Sequence, residues 1–130
     1  MNDMIERITA QGAPAPQGPY SHAVRAGDFI YVSGQASLDP ATNTFIVGTV
    51  ADETHRTIGN IESILKSAGA SLADVVKCSV FLSDIRDFAE MNAVYEEHFG
   101  AAKPARTTVQ AVLPGKGIKV EIDCIAYKPA

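Results

Sequence analysis

Apolar residues in this chain follow two rhythms, one alternating and one helical. From Val50 to Ala68 the apolar positions Ala51, Ile58, Ile61, Leu65 and Ala68 recur mostly at three- and four-residue spacing, which predicts an amphipathic helix ended by Gly69. A second helix is predicted from an Asp84 cap to about Phe99, with Phe88, Met91, Tyr95 and Phe99 on its buried stripe and Gly100 as its stop. Alternation predicts strands at Tyr20 to Arg25 and Phe29 to Ser33, a hairpin around Ala26-Gly27-Asp28. Val75 to Leu82 is a further strand, with Val76, Cys78, Val80 and Leu82 on one face. Two more follow, Ala105 to Val112 and Ile118 to Tyr127, joined by Leu113-Pro114-Gly115-Lys116-Gly117. The order ββαβαββ makes an α/β (α+β) fold, a single mixed sheet with two helices on one face, the natural packing solution. Gly12 to Pro19 reads as a loop, and with no repeat or linker, residues 1–130 are expected to form one domain.

Strand alternation then sorts side chains between the two faces. In the last strand Ile118, Val120, Ile122, Cys124 and Ala126 are expected under the helices, with Lys119, Glu121, Asp123, Ile125 and Tyr127 opposite. In the strand before it, Thr107, Val109, Ala111 and Leu113 match the helix side, which puts Arg106, Thr108 and Gln110 on the face of Glu121. Phe29, Tyr31 and Phe81 share that second face, and so mixed a face predicts burial against another subunit.

The chain is 46% apolar and 20% charged, ordinary for a globular protein, and its net charge of −4 advertises no nucleic-acid surface. No stretch reaches the roughly 20 apolar residues of a membrane span, and the start, Met1-Asn2-Asp3-Met4-Ile5-Glu6, has no secretory pattern, so a cytoplasmic location is expected. Cys78 and Cys124 lie in apolar strands without Cys-x-x-Cys spacing and read as reduced thiols. His22, His55 and His98 are far apart in sequence, so no metal site is expected.

Arg106 is the residue most in need of explanation. It lies in an otherwise uncharged strand, cannot discard its proton, and presents a planar fork that fits a carboxylate. Its partner is either Glu121, in a salt bridge between neighbouring strands, or the carboxylate of a small ligand, which leaves Glu121 to handle a proton or a water. Tyr20 follows a rigid turn, Ser33 and Gly34 end a strand where backbone can approach a ligand, and Asn92 shares a helix face with Phe88 and Tyr95. Each also has an ordinary structural reading: packing for Tyr20, a turn for Ser33-Gly34, a backbone-bonded buried amide for Asn92. Glu90, Glu96 and Glu97 read as a solvated helix face.

Gly18-Pro19-Tyr20, Tyr31-Val32-Ser33-Gly34-Gln35, Val80-Phe81-Leu82-Ser83-Asp84-Ile85, Phe88 to Glu96, Lys103-Pro104-Ala105-Arg106 and Ile118-Lys119-Val120-Glu121-Ile122 occur in this order over nearly the whole chain. Together they resemble the reactive intermediate deaminase (RidA/YjgF) family. The resemblance implies a chorismate-mutase-like fold, a homotrimer with ligand clefts between subunits, and cofactor-independent hydrolysis of enamine or imine acids such as 2-aminoacrylate and 2-iminopropanoate to 2-oxo acids and ammonia. It implies that Arg106 clamps the carboxylate, Glu121 positions or activates water, and Tyr20, Ser33, Gly34 and Asn92 line the pocket. The best-studied branch has a cysteine where this chain has Thr108, a position that can still act through its backbone carbonyl. Competing readings are deamination of a larger substrate such as 2-aminomuconate, a non-catalytic small-acid-binding or chaperone-like trimer, and a ribonuclease, which the acidic charge disfavours.

Overall fold

A computed structural model describes residues 4–130, so the first three residues of the acidic start lie outside the described residues. The strands are β1 (Ile5–Ile8), β2 (Ala23–Ala26), β3 (Phe29–Gln35), β4 (Val75–Leu82), β5 (Ala105–Gln110) and β6 (Val120–Tyr127). The helices are α1 (Val50–Ser67) and α2 (Phe88–Phe99). One mixed sheet has the order β1-β2-β3-β6-β4-β5, with only β4 and β5 parallel. β1 is absent from the sequence reading, because a four-residue edge strand with one buried side chain, Ile8, leaves almost no alternation to detect.

The two helices cover one face, as expected. Ile58, Ile61, Ile64 and Leu65 of α1 and Met91, Tyr95 and Phe99 of α2 form one core with Ile30, Val32, Val80, Leu82, Val120 and Ile122 of the sheet. The other face keeps Phe29, Tyr31, Val109 and Tyr127 exposed. α1 begins at Thr49, whose hydroxyl accepts the Asp52 N–H (3.1 Å), a short polar cap at the site predicted for the start. It ends in a Schellman turn: Ala70 N–H bonds Leu65 O (2.8 Å), Gly69 N–H bonds Lys66 O (3.0 Å), and Gly69 has φ 79°.

Several boundaries differ from expectation. Tyr20 to His22 lie in loop, so β2 starts only at Ala23, while β3 continues through a pairing shift at Ser33-Gly34 to Gln35. In β4 a register shift between Val75 and Lys77 turns Val76 outward, and Val75 takes its place in the core. Asp84 caps a 3-10 turn, Ile85–Asp87, and α2 starts four residues after it with Phe88 39% exposed. Gly100 continues in right-handed geometry, and the left-handed turn falls on Lys103 (φ 46°), whose N–H bonds Phe99 O (2.8 Å).

The largest difference is topological. β5 and β6 are not neighbours; β4 lies between them. Because β5 runs parallel to β4 with Cys78 opposite Arg106 and Val80 opposite Thr108, Arg106, Thr108 and Gln110 share the helix face with the buried Cys78, Val80 and Leu82. Thr107 and Val109 take the open face, where Lys77 Nζ bonds Thr107 Oγ1 (2.9 Å). The expected sidedness of β5 is therefore reversed.

Glu53 ties α1 to the segment that leads into β6. Its side chain is fully buried (0% exposed) and accepts from Lys119 N (2.7 Å), Gly48 N (3.1 Å) and Lys119 Nζ (3.4 Å). Glu53→Ala strands two backbone donors and is expected to lower the unfolding free energy by about 3 kcal/mol or more, with Glu53→Gln losing less; urea denaturation of both variants checks this.

Candidate active site

Arg106 rises from the edge strand β5 toward α2. Its Nη1 donates to Asn92 Oδ1 (2.8 Å), and its guanidinium carbon lies 4.7 Å from the Tyr95 ring centroid and 5.5 Å from that of Phe88. These three partners sit on α2 at three- and four-residue spacing, one helix face. All three are uncharged. Among the described residues no carboxylate comes within 4.0 Å of Arg106, so the internal salt bridge to Glu121 is ruled out there. The cation is held by an amide and by ring quadrupoles, which orient the charge without neutralising it. Asn92 is bonded to this side chain, not to backbone.

Thr108 stands two residues along β5 on the same face, its hydroxyl buried and without a hydrogen-bond partner among the described residues. Ala111 N–H bonds Leu82 O (2.9 Å), so by strand alternation the amide groups of Arg106 and Thr108 point away from β4, to the free edge. The Thr108 carbonyl is thus available at that edge, in keeping with a role through backbone.

A second cluster surrounds Glu121 on the open face of β6. A cavity of about 190 Å³ is lined by Glu121, Tyr20, Gly34, Gln35 and His22, with apolar walls from Pro14, Pro16, Leu38, Phe45, Pro114 and Ile118. Burial pushes the Glu121 carboxyl above its ordinary value of 4.5, and nearby Asp123 adds to the rise. Tyr20 Oη accepts the Gln17 N–H (2.9 Å), which fixes the ring and leaves the phenol proton free to donate. Ser33 Oγ donates to Ser21 O (2.6 Å) and does not line the cavity; it holds the β3 bulge beside the loop that carries Tyr20. Gly34 lets the Glu121 side chain lie against the backbone, since a Cβ there would come 2.5 Å from Glu121 Oε2. His22 accepts from Ala10 N (2.8 Å) and donates to Pro14 O (2.7 Å), a neutral buried staple for the cavity loop.

The structure therefore splits the candidate residues into two groups. Tyr20, Gly34 and Glu121 meet at the cavity; Arg106, Asn92 and Thr108 meet at the β5 edge. Arg106 and Glu121 are two strands apart and offset by three residues, opposite Cys78 and Phe81 of β4 respectively. This spacing places their Cα atoms roughly 14 Å apart, with side chains on opposite faces. No three-carbon acid could touch both within one chain. The Phe88 and Tyr95 rings beneath Arg106 were expected from sequence as packing residues and not as part of a site, and the Phe45 and Leu38 walls were not expected at all. The spacing of Asn92 to both rings was the available signal for the first pair.

Residues 10–128 match the family described as Endoribonuclease L-PSP. The chain belongs to this family, the YjgF/RidA family of the sequence resemblance. A RutC family protein of Pyrococcus horikoshii is 46% identical over 96% of this chain and 99% of its own length. The 2-iminobutanoate/2-iminopropanoate deaminase of Bos taurus is 42% identical, over 98% and 94% of the two chains. In three dimensions the chain superposes on RidA from the Antarctic bacterium Psychrobacter sp. with TM-score 0.88 at 41% identity, covering 94% of this chain and 98% of that one. The mixed sheet with two helices is thus the chorismate-mutase-like fold that the family resemblance implied. No helix among the described residues is long and apolar enough to cross a membrane.

Gly34→Ala separates the positioning of Glu121 from overall stability. The added methyl meets a mobile carboxylate end, not backbone, so stability is expected to stay within about 1 kcal/mol of the parent. The carboxylate must move; a crystal structure of the variant would show a changed Glu121 rotamer and a smaller cavity.

Proposed function

We propose that this protein hydrolyses small enamine or imine acids to 2-oxo acids and ammonia, at sites made jointly by two copies of the chain. The observation that carries this reading is Arg106: a cation oriented by neutral groups at a free edge is an anchor for a carboxylate brought from outside. The 42% identity to a 2-iminobutanoate/2-iminopropanoate deaminase supports the substrate class. The opposite-face placement of Arg106 and Glu121 supports the second copy, because the β5 edge of one chain can close over the Glu121 cavity of another. Phe29, Tyr31, Val109 and Tyr127 on the open face supply apolar surface for such an assembly, which we take to be a homotrimer.

In this arrangement Arg106 holds the substrate carboxylate with the fork positions that Asn92 leaves free, and the Thr108 carbonyl faces the substrate from the same edge. Glu121 takes a proton from water as its oxygen bonds to C2 of the imine, and returns it to nitrogen. Collapse of the carbinolamine releases ammonia and leaves the 2-oxo acid. Tyr20 steadies the developing charge with its free phenol proton, and the apolar cavity walls receive the side chain. The work asked of the protein is positioning and proton transfer, with no cofactor in the scheme. The whole chain acts as one unit here, and its two free buried thiols fit the reducing cytoplasm, where it would clear reactive intermediates. The family description names an endoribonuclease, but a net charge of −4 makes a poor RNA surface, and nuclease activity that disappears on repurification would dismiss that reading.

A coupled assay in which a serine dehydratase supplies 2-aminoacrylate tests the anchor. Arg106→Ala is expected to lose about 10²-fold or more in kcat/KM; parent-level activity in that variant would remove the basis of the proposal. The Glu121 carboxyl supplies a pH test. Burial raises its pKa and a neighbouring copy's Arg106 would lower it. NMR titration should therefore place it above 4.5 in Arg106→Ala and lower in the parent. Equal values in the two proteins would mean that the residues do not meet.

A further inference from the structure

Away from both halves of the candidate site, the fold brings together two histidines that are 43 residues apart in sequence. His55 stands on α1 and His98 in the last turn of α2, and His55 Nδ1 lies 2.9 Å from His98 Nε2. The ring centroids are 5.1 Å apart with planes at 73°. On the far side of His55, Glu97 Oε2 is 4.0 Å from Nε2. The pair remains open to solvent, the His55 side chain being 45% exposed.

Their spacing has a consequence for metal binding. A tetrahedral ion with two metal–nitrogen bonds of roughly 2.0–2.1 Å places the nitrogens about 3.3 Å apart and the ring centroids about 5.2 Å apart. The centroids are already at that separation, and modest ring rotation would open the nitrogen gap. A right-angle, square-planar arrangement would instead need centroids at about 4.5 Å, so the rings would have to close on one another. In the tautomer with its proton on His55 Nε2, the side toward Glu97, the Nδ1 lone pair faces His98. In the metal-free pair His98 Nε2–H then donates to it; on binding, that proton moves to His98 Nδ1 and both lone pairs face the ion.

We propose that His55 and His98 form a two-imidazole site for a tetrahedral divalent cation of the zinc class, with Glu97 as the outer carboxylate. No group of three possible metal-binding side chains occurs among the described residues, so two coordination positions are left to water. The ion would bridge α1 and α2 near a second polar link, Ala51 N–H to Glu90 Oε2 (3.0 Å), and it takes no part in the reaction proposed above.

The test is equilibrium titration of the metal-free, full-length protein with zinc alone. Saturable binding of one ion per chain at pH 7.5 is expected. His55→Ala and His98→Ala should each weaken binding by tenfold or more, and Glu97→Gln by about tenfold, the usual loss for an outer carboxylate. Arg106→Ala should bind zinc like the parent, which separates this site from the candidate active site. Nitrogen-15 shifts of His55 Nδ1 and His98 Nε2 should both move on titration. Absence of saturable binding, or binding that survives in the His55→Ala/His98→Ala double variant, would overturn the proposal.

Discussion

An unneutralised guanidinium at a sheet edge is the constraint on which the rest of this structure depends. Taking a cation partly out of water costs several kcal/mol unless something compensates. Here the compensation comes from one amide and two aromatic rings, all on α2, with no anion among the described residues. A carboxylate partner within the chain would recover more energy and leave nothing for a ligand. The fold instead holds the guanidinium against α2 by one of its nitrogens and leaves it charged.

The same economy explains why the other half is built separately. Glu121 lies in a mostly apolar cavity where burial favours the protonated carboxyl, whereas an arginine on the same chain would have held it ionised. Segregating the two groups on opposite sheet faces lets each keep its own environment within one chain, and in the proposed assembly a second copy would bring them together. Glu53 serves this division quietly: by gripping Gly48 and Lys119 it fixes the entry of β6, two residues before Glu121.

Much of this was legible in the residues. Both helices, the hairpin and strand β4 follow from periodicity, because apolar side chains recur on their buried faces, even though α1 also buries Glu53, Thr54, Thr57 and Asn60 there. Arg106 and Asn92 were readable as polar groups out of place in such patterns, Glu121 as a charge expected on the same face as Arg106, and Tyr20 from the rigid turn before it. The sidedness of β5 was not readable in the same way. Val109 looks like a core residue by alternation, yet it is an exposed apolar group on the open face, and Arg106 occupies the helix side. Alternation reports burial and does not say whether another part of the chain or another copy does the burying. A better guide was the α2 crossover between β4 and β5, which suits a parallel pair of strands, as β4 and β5 are. The pairing of His55 with His98 had no sequence signal, since it depends on how two helices lie side by side.

The most direct test of a site shared between chains is subunit complementation. Arg106→Ala and Glu121→Gln proteins, each inactive alone, would be unfolded together, refolded as mixed oligomers and assayed for imine hydrolysis. If each site takes Arg106 from one copy and Glu121 from another, random mixing in equal amounts restores about a quarter of the sites. Mixed oligomers that stay as inactive as their parents would contradict the account.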